Sequence, residues 1–240
     1  SPALGEFDPR TAAAVDAAIG GEHRTEAQKA RDAARKPREV LEFLGFRSDM
    51  TVVEIWPGSG WYTQILAPAL KDDGSLYAAC ASPNDPYGFQ RRGLGSFLKM
   101  MGDDPDLYRH VVVTTLSLPY QIEIAPRESA DMVVTFRNVH NLNAEGRHNL
   151  NDAVFEALRP GGLYGVVDHT RRHMEPDTPA NRRRADPVQV IQETIEAGFE
   201  FVGYSDLHYR PVDGLNLEVG DQRVTGRTDR FTLLFRKPEG

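Results

Sequence analysis

Cysteine is all but missing from this chain: Cys80 is the one thiol in 240 residues. A single thiol excludes an intrachain disulfide and a thiolate zinc cage. No apolar run approaches the roughly 18 to 20 residues that a helical membrane span needs. Positive charge is in the minority, with 28 Lys and Arg against 35 Asp and Glu and a net charge of −7. Such a surface repels phosphate backbones, so no nucleic-acid partner is expected. Repeats and low-complexity tracts are lacking too. What is there, 40% hydrophobic residues and 21 glycines, suits a globular chain with a core of its own. The length favours one decorated domain over two full ones.

The chain opens Ser1-Pro2-Ala3 without Met, as expected if a tag or a signal peptide has been removed. Residues 1–22 are Ala-rich and read as a flexible lead-in carrying at most one weak helix. Residues 23–46 read as a helical cap, with Ala27, Ala30, Ala33 and Ala34 making a stripe among charged residues. Pro37 opens its second helix over 38–44, and Gly45 ends it. Strands are expected at 50–56, 76–81, 111–115, 131–136, 163–167, 199–205 and 230–235. Helices are expected at 61–70, around 96–101, at 145–158 and at 187–197. Strands alternating with helices of this length predict a doubly wound, mostly parallel α/β sheet. The last two strands have no helix between them, which predicts an antiparallel hairpin at one edge.

The first strand runs into Trp56-Pro57-Gly58-Ser59-Gly60, followed by a helix. In a doubly wound sheet this turn walls the ligand crevice. A dinucleotide fingerprint needs a third glycine where Thr63 stands, so a pyrophosphate site is disfavoured. The wider pattern, Val52-Val-Glu-Ile-Trp-Pro-Gly-Ser-Gly60, resembles motif I of class I S-adenosylmethionine-dependent methyltransferases. Ala130-Asp-Met-Val-Val134 looks like their fourth strand, Ala157-Leu-Arg-Pro-Gly-Gly-Leu-Tyr-Gly-Val-Val167 like the entry to their fifth, and Glu196-Ala-Gly-Phe-Glu-Phe-Val202 like their sixth. The resemblance covers about residues 38–236. It implies a Rossmann-like, seven-stranded sheet for residues 23–240, and S-adenosylmethionine as cofactor.

A bacterial family of predicted methyltransferases, often exported, is also similar. Arg31-Asp32, Gly60-Trp-Tyr-Thr63, Thr135-Phe-Arg-Asn-Val-His-Asn141 and Thr228-Asp-Arg230 carry that likeness. It implies a periplasmic location slightly ahead of a cytoplasmic one.

On this alignment Glu54, Pro57, Gly58, Gly60, Tyr62, Cys80 and Asn138 are the candidate cofactor-binding residues. Cys80 stands where such enzymes carry a carboxylate for the ribose hydroxyls, and a thiol is a poor substitute. Asp85 could reach back to the same place. Trp56 occupies the usual first glycine of the turn. Glu54 ends a buried strand and must have a partner, either the cofactor or nearby turn groups. Tyr62 could face a sulfonium, whereas Trp61 reads as core.

His140, just past the fourth expected strand, is the candidate general base, and His169 is second. Asp168 could converge with them. His169 and His173 have metal-ligand spacing only if helical, and no metal is expected. Arg137 and Arg184 are the candidate substrate-binding residues, the latter from the run Arg182-Arg-Arg184, and they suit an anionic small molecule. Methyl transfer to a small-molecule acceptor is the expected activity. The rival is a non-catalytic ligand-binding or regulatory protein on a decayed methyltransferase fold.

Overall fold

The computed structural model describes residues 5–240. Eight strands form one sheet: β1 (Thr51–Ile55), β2 (Ser75–Cys80), β3 (Val112–Ser117), β4 (Gln121–Glu123), β5 (Ala130–Phe136), β6 (Leu158–His169), β7 (Glu200–Ser205) and β8 (Arg230–Arg236). Their order is β4-β3-β2-β1-β5-β6-β8-β7. Strands β3, β2, β1, β5 and β6 run parallel. The order reverses beside β1, and this places a crevice above the carboxyl ends of β1 and β5.

The expected antiparallel hairpin is present, with β8 pairing β6 on one side and β7 on the other. The eighth strand, β4, is a correction to the expected seven. It folds back on β3 as a second antiparallel edge, and all three of its residues are exposed. A short exposed strand buries nothing on either face, so no alternation of polar and apolar residues announces it. Strand β6 also begins earlier than expected. It absorbs the Arg159–Gly162 turn as an irregularity opposite Ala130 and Met132.

Helices cover both faces. Pro9–Gly20 (α1), Glu26–Lys29 (α2), Asp32–Arg35 (α3), Pro37–Phe43 (α4) and Thr63–Leu70 (α5) lie on one side. Gly88–Asp103 (α6) and Pro105–Tyr108 (α7) follow β2, and Ala144–Ala157 (α8) and Pro187–Glu196 (α9) cover the other side. Helix α1 falls within the lead-in read at residues 1–22, of which residues 1–4 lie outside the described ones. Asp8 caps it by accepting from the backbone of Arg10 and Thr11 at 3.0 Å each, and Pro9 opens it. Val15 and Ala18 are buried in the same core as α5. Small alanines let the two helices approach closely, although their weak hydrophobicity hides the helix in the sequence.

The strand residues divide between two cores. Val53 and Ile55 pack with α8, whereas Val52 packs with α4 and α5. Because side chains alternate along a strand, Glu54 shares the α5 face with Val52.

Candidate active site

The turn after β1 has the backbone its glycines suggest. Gly58 and Gly60 hold φ values of +60° and +85°. Trp56, in the usual first-glycine position, also adopts a positive φ of 40°. That conformation costs a non-glycine residue about 1–2 kcal/mol. Two hydrogen bonds hold it in place. Its backbone N–H donates to the Ala79 carbonyl at 2.8 Å, and its indole N–H donates to the Leu116 carbonyl at 2.8 Å.

A cavity of about 140 Å³ opens above this turn, lined among others by Trp56, Pro57, Gly58, Cys80 and Asn138. It adjoins a larger cavity of about 480 Å³ that shares Trp56, Phe89, Gln90 and Asn141 and also reaches Asp85. A side chain at Gly58 would meet nothing within 4 Å, so the cradle there is open. Helix α6 forms the opposite wall through Phe89, Gln90, Gly93 and Leu94. Those wall residues escape sequence reasoning, because their segment has no motif and reads as the approach to a helix.

Four of the seven candidate cofactor residues thus line one cavity: Pro57, Gly58, Cys80 and Asn138. Asn138 is fixed by its amide N–H₂, which donates to the Ile55 carbonyl at 2.9 Å and the Thr135 hydroxyl at 3.2 Å. Burial pushes the Cys80 thiol up to about 12, with the nearby Glu54 charge acting in the same direction. Cys80 therefore lines the cavity as a neutral thiol. Asp85 accepts from the Ser117 hydroxyl at 2.7 Å and the Tyr87 backbone at 2.9 Å.

The other three candidates do not line these cavities. Glu54 turns to α5, where the Thr63 hydroxyl donates to it at 2.6 Å. Burial raises its carboxyl to about 7, against the lowering effect of that bond. Gly60 lies beneath Met100, whose sulfur would be 2.5 Å from an added Cβ. Tyr62 is buried and stacks on Phe136, with ring centres 3.6 Å apart. Trp61 is core, as expected, and the Arg35 guanidinium lies 4.3 Å from its ring centre.

The carboxyl ends of β5 and β6 carry a second constellation. Asp168 is fully buried and accepts from His140 Nδ1 at 2.6 Å and from the His140 backbone N–H at 3.0 Å. Its first oxygen also accepts the His169 backbone N–H at 2.7 Å. A carboxylate at Nδ1 fixes the proton there and leaves Nε2 as the basic atom. His140 and His169 are brought together, with ring centres 5.9 Å apart. Burial, and then the charges of Arg230, His140 and Arg137, hold His169 well below the usual histidine range. It is a neutral imidazole, anchored by Nδ1 to the Thr228 hydroxyl at 2.9 Å.

His140 borders a third cavity of about 210 Å³, together with Arg147, Arg171 and Arg184. Arg184 does not offer that cavity a free charge. Its guanidinium binds both oxygens of Asp213, at 2.9 and 3.0 Å, and donates to the carbonyls of Thr170 and Leu217. Arg183 is likewise paired with Glu218. His173 bonds Asp186 and so does not join His169 at a shared site. Among the described residues, no group of three or more His, Cys, Asp or Glu is placed to hold a metal ion.

Neither a family model nor a curated protein matches the sequence. Solved structures do match. An S-adenosylmethionine-dependent methyltransferase from Aquifex aeolicus aligns with a TM-score of 0.61 at 15% identity, covering 86% of this chain and 92% of that one. SpnF, described as a 4+2 cyclase, aligns over the whole of both chains with a TM-score of 0.61 at 14% identity. A glycopeptide N-methyltransferase, MtfA, solved with S-adenosylmethionine, gives a TM-score of 0.58 at 18% identity over 86% of this chain and 95% of that one. Identities this low speak for the fold and leave the chemistry open. The chain has the class I fold of S-adenosylmethionine-dependent methyltransferases.

Proposed function

We propose that the protein transfers a methyl group from S-adenosylmethionine to a small-molecule acceptor. The observation that carries this reading is the open cradle at Gly58, walled by Pro57, Cys80 and Asn138 at the carboxyl ends of β1, β2 and β5. The residues present fit the cofactor. The turn leaves room for a ligand against its backbone, and the adjoining cavity brings the Asp85 carboxylate within the same crevice. Together the two cavities reach the size range of cofactor sites, about 300–1,000 Å³. When bound, S-adenosylmethionine supplies an electrophilic methyl on a sulfonium.

The chain's own work is positioning and proton transfer. Pro57, Gly58 and Asn138 would hold the cofactor against the turn, with Cys80 and Trp56 shaping the wall beside it. Asp85 would be the carboxylate available to the cofactor's hydroxyl groups, since the Cys80 thiol stays neutral. His140 takes the acceptor's proton on Nε2, with Asp168 as the positioning residue that fixes its ring and tautomer. His169, kept unprotonated by burial and surrounding arginines, is too weak a base to take that proton and borders His140 as a neutral imidazole. Alignment of acceptor and methyl supplies most of the acceleration in such a displacement.

Titration calorimetry with S-adenosylmethionine and S-adenosylhomocysteine tests the reading, with adenosine as a comparison. Saturable binding of the first two is expected. No binding of either at about 1 mM, an interaction weaker than about −4 kcal/mol, overturns it.

A further inference from the structure

Four arginines from separate stretches of chain lie near enough on the α5 face of the sheet to act on one another's charge; among the described residues none has an ion-pair partner, and Asp168 acts on Arg137 only from beyond ion-pair distance. Arg137 follows β5, and its backbone N–H donates to the Val167 carbonyl of β6 at 2.7 Å. Arg230 opens β8, opposite His169 of the same strand β6. Arg31 and Arg35 come from the turn and helix α3 that cross above Trp61 and Tyr62. Arg35 is 2% exposed, and its Nε and Nη1 are buried without a hydrogen-bond partner. Arg230 Nε is buried and unpartnered as well.

The backbone beneath them is tightly held. The Arg35 carbonyl accepts from His208 Nε2 at 2.9 Å and from the Tyr62 hydroxyl at 3.5 Å. His208 is in turn bonded through Nδ1 to Thr232, two residues along from Arg230. Nearby acids are already engaged: Asp32 with Arg24, Asp168 with His140, Asp213 with Arg184. Among the described residues, no ion pair reaches any of the four guanidinium groups. Burial, and then mutual repulsion, lower the proton affinity of Arg35 and Arg230. A buried unpaired charge is costly, and arginine forks match the oxygens of carboxylate and phosphate. Arg31 is exposed, so the cluster has an outlet to solvent.

We propose that Arg31, Arg35, Arg137 and Arg230 form an oxyanion subsite that takes the polycarboxylate or phosphate end of the acceptor. As an acceptor site it rests on the methyl-transfer reading. The cluster spans the ends of β5, β6 and β8, beside His140 and His169, and borders the glycine cradle at β5, where Asn138 next to Arg137 lines the cavity. Four positive charges also exceed what the single carboxylate of S-adenosylmethionine can balance. The recognised group is therefore on the acceptor, and it carries more than one negative charge.

The test is titration with inorganic phosphate and, separately, citrate, read by melting temperature and calorimetry against sodium chloride of equal ionic strength. Wild-type protein is expected to melt higher with at least one anion and unchanged with chloride. The preferred anion distinguishes a phosphate from a polycarboxylate. Arg137→Gln and Arg230→Gln are expected to weaken that anion about tenfold or more. Arg31→Gln, at an exposed position, serves where the half-buried variants fold poorly, and Arg31→Lys should recover part of the loss. Binding of neither anion, or binding equal in wild type and all three Gln variants, overturns the proposal. S-adenosylhomocysteine should bind with unchanged affinity at saturating anion, and competition between them assigns the arginines to the cofactor and overturns it. If the anion binds through the arginines and S-adenosylhomocysteine does not bind at all, the oxyanion site stands and the methyl-transfer reading falls.

Discussion

Asp168 holds His140 twice, through Nδ1 at 2.6 Å and through the backbone N–H at 3.0 Å. Side chain and main chain of one histidine are thereby fixed by one carboxylate with no exposed surface. Asp168→Asn should break this arrangement, because an amide can donate to Nδ1 and move the ring proton to Nε2. Imidazole nitrogen NMR is expected to show a sheltered Nδ1–H in wild type and its loss in the variant. With a working acceptor, turnover should fall by about 10²–10⁴-fold, the range for removing a positioned base. An unchanged tautomer with unchanged turnover would show that the pair is only structural.

Glu54 gives a pH signature. Its carboxyl rises to about 7 in the folded protein, from an ordinary value of 4.5. Between those values the native chain binds more protons than the unfolded one, so stability falls as pH rises through that window. The group is fully buried, and the loss is on the order of 3 kcal/mol. Glu54→Gln keeps an acceptor for Thr63 and removes the charge. Relative to wild type, the variant should gain stability between pH of about 4.5 and about 7, measured by urea denaturation. Parallel profiles for the two proteins would contradict this.

Much of this crevice is legible in the sequence. The run of apolar β-branched residues before Trp56-Pro57-Gly58 marks a buried strand, and the glycines mark the turn, so the cradle follows from local chemistry. What escapes is non-local. Helix α6 closes the cavity with residues that carry little hydrophobic pattern, and only Phe97 of its 16 residues is buried. The arginine cluster is assembled from positions 31, 35, 137 and 230, which no spacing rule connects. Arg35 stands in an Ala-rich stripe and reads as one more solvated charge. Arg184, in a conspicuous basic run, reads as available and proves to be paired with Asp213.

That pair supports a stability prediction. Arg184 and Asp213 have side-chain exposures of 0% and 1%. Arg184→Met leaves the Asp213 carboxylate buried and uncompensated, at a cost of about 3–5 kcal/mol. Chemical denaturation should show this loss. A change below about 1 kcal/mol would mean that water or another residue takes the place of the guanidinium.

Cys80 should be inert. The residue is 3% exposed and its thiol is raised to about 12, so almost no thiolate exists near neutral pH. Iodoacetamide at pH of about 8 is expected to label it slowly in the folded protein and rapidly in denaturant. Equal rates would place the thiol in solvent rather than in the wall of the cavity.

Gly93 faces the Gly58 turn from α6, with 3.8 Å between its would-be Cβ and Gly58 Cα. Alanine fits there and favours the helix by about 0.5–1 kcal/mol, whereas leucine projects into the cavity. The decisive measurement is calorimetric titration of S-adenosylhomocysteine into wild type, Gly93→Ala and Gly93→Leu, with folding of each checked by near-ultraviolet circular dichroism. Saturable binding to wild type is expected, with a loss of about tenfold or more in the folded leucine variant, an effect of about 1.4 kcal/mol. No binding to wild type, or equal binding to wild type and Gly93→Leu, would contradict this expectation.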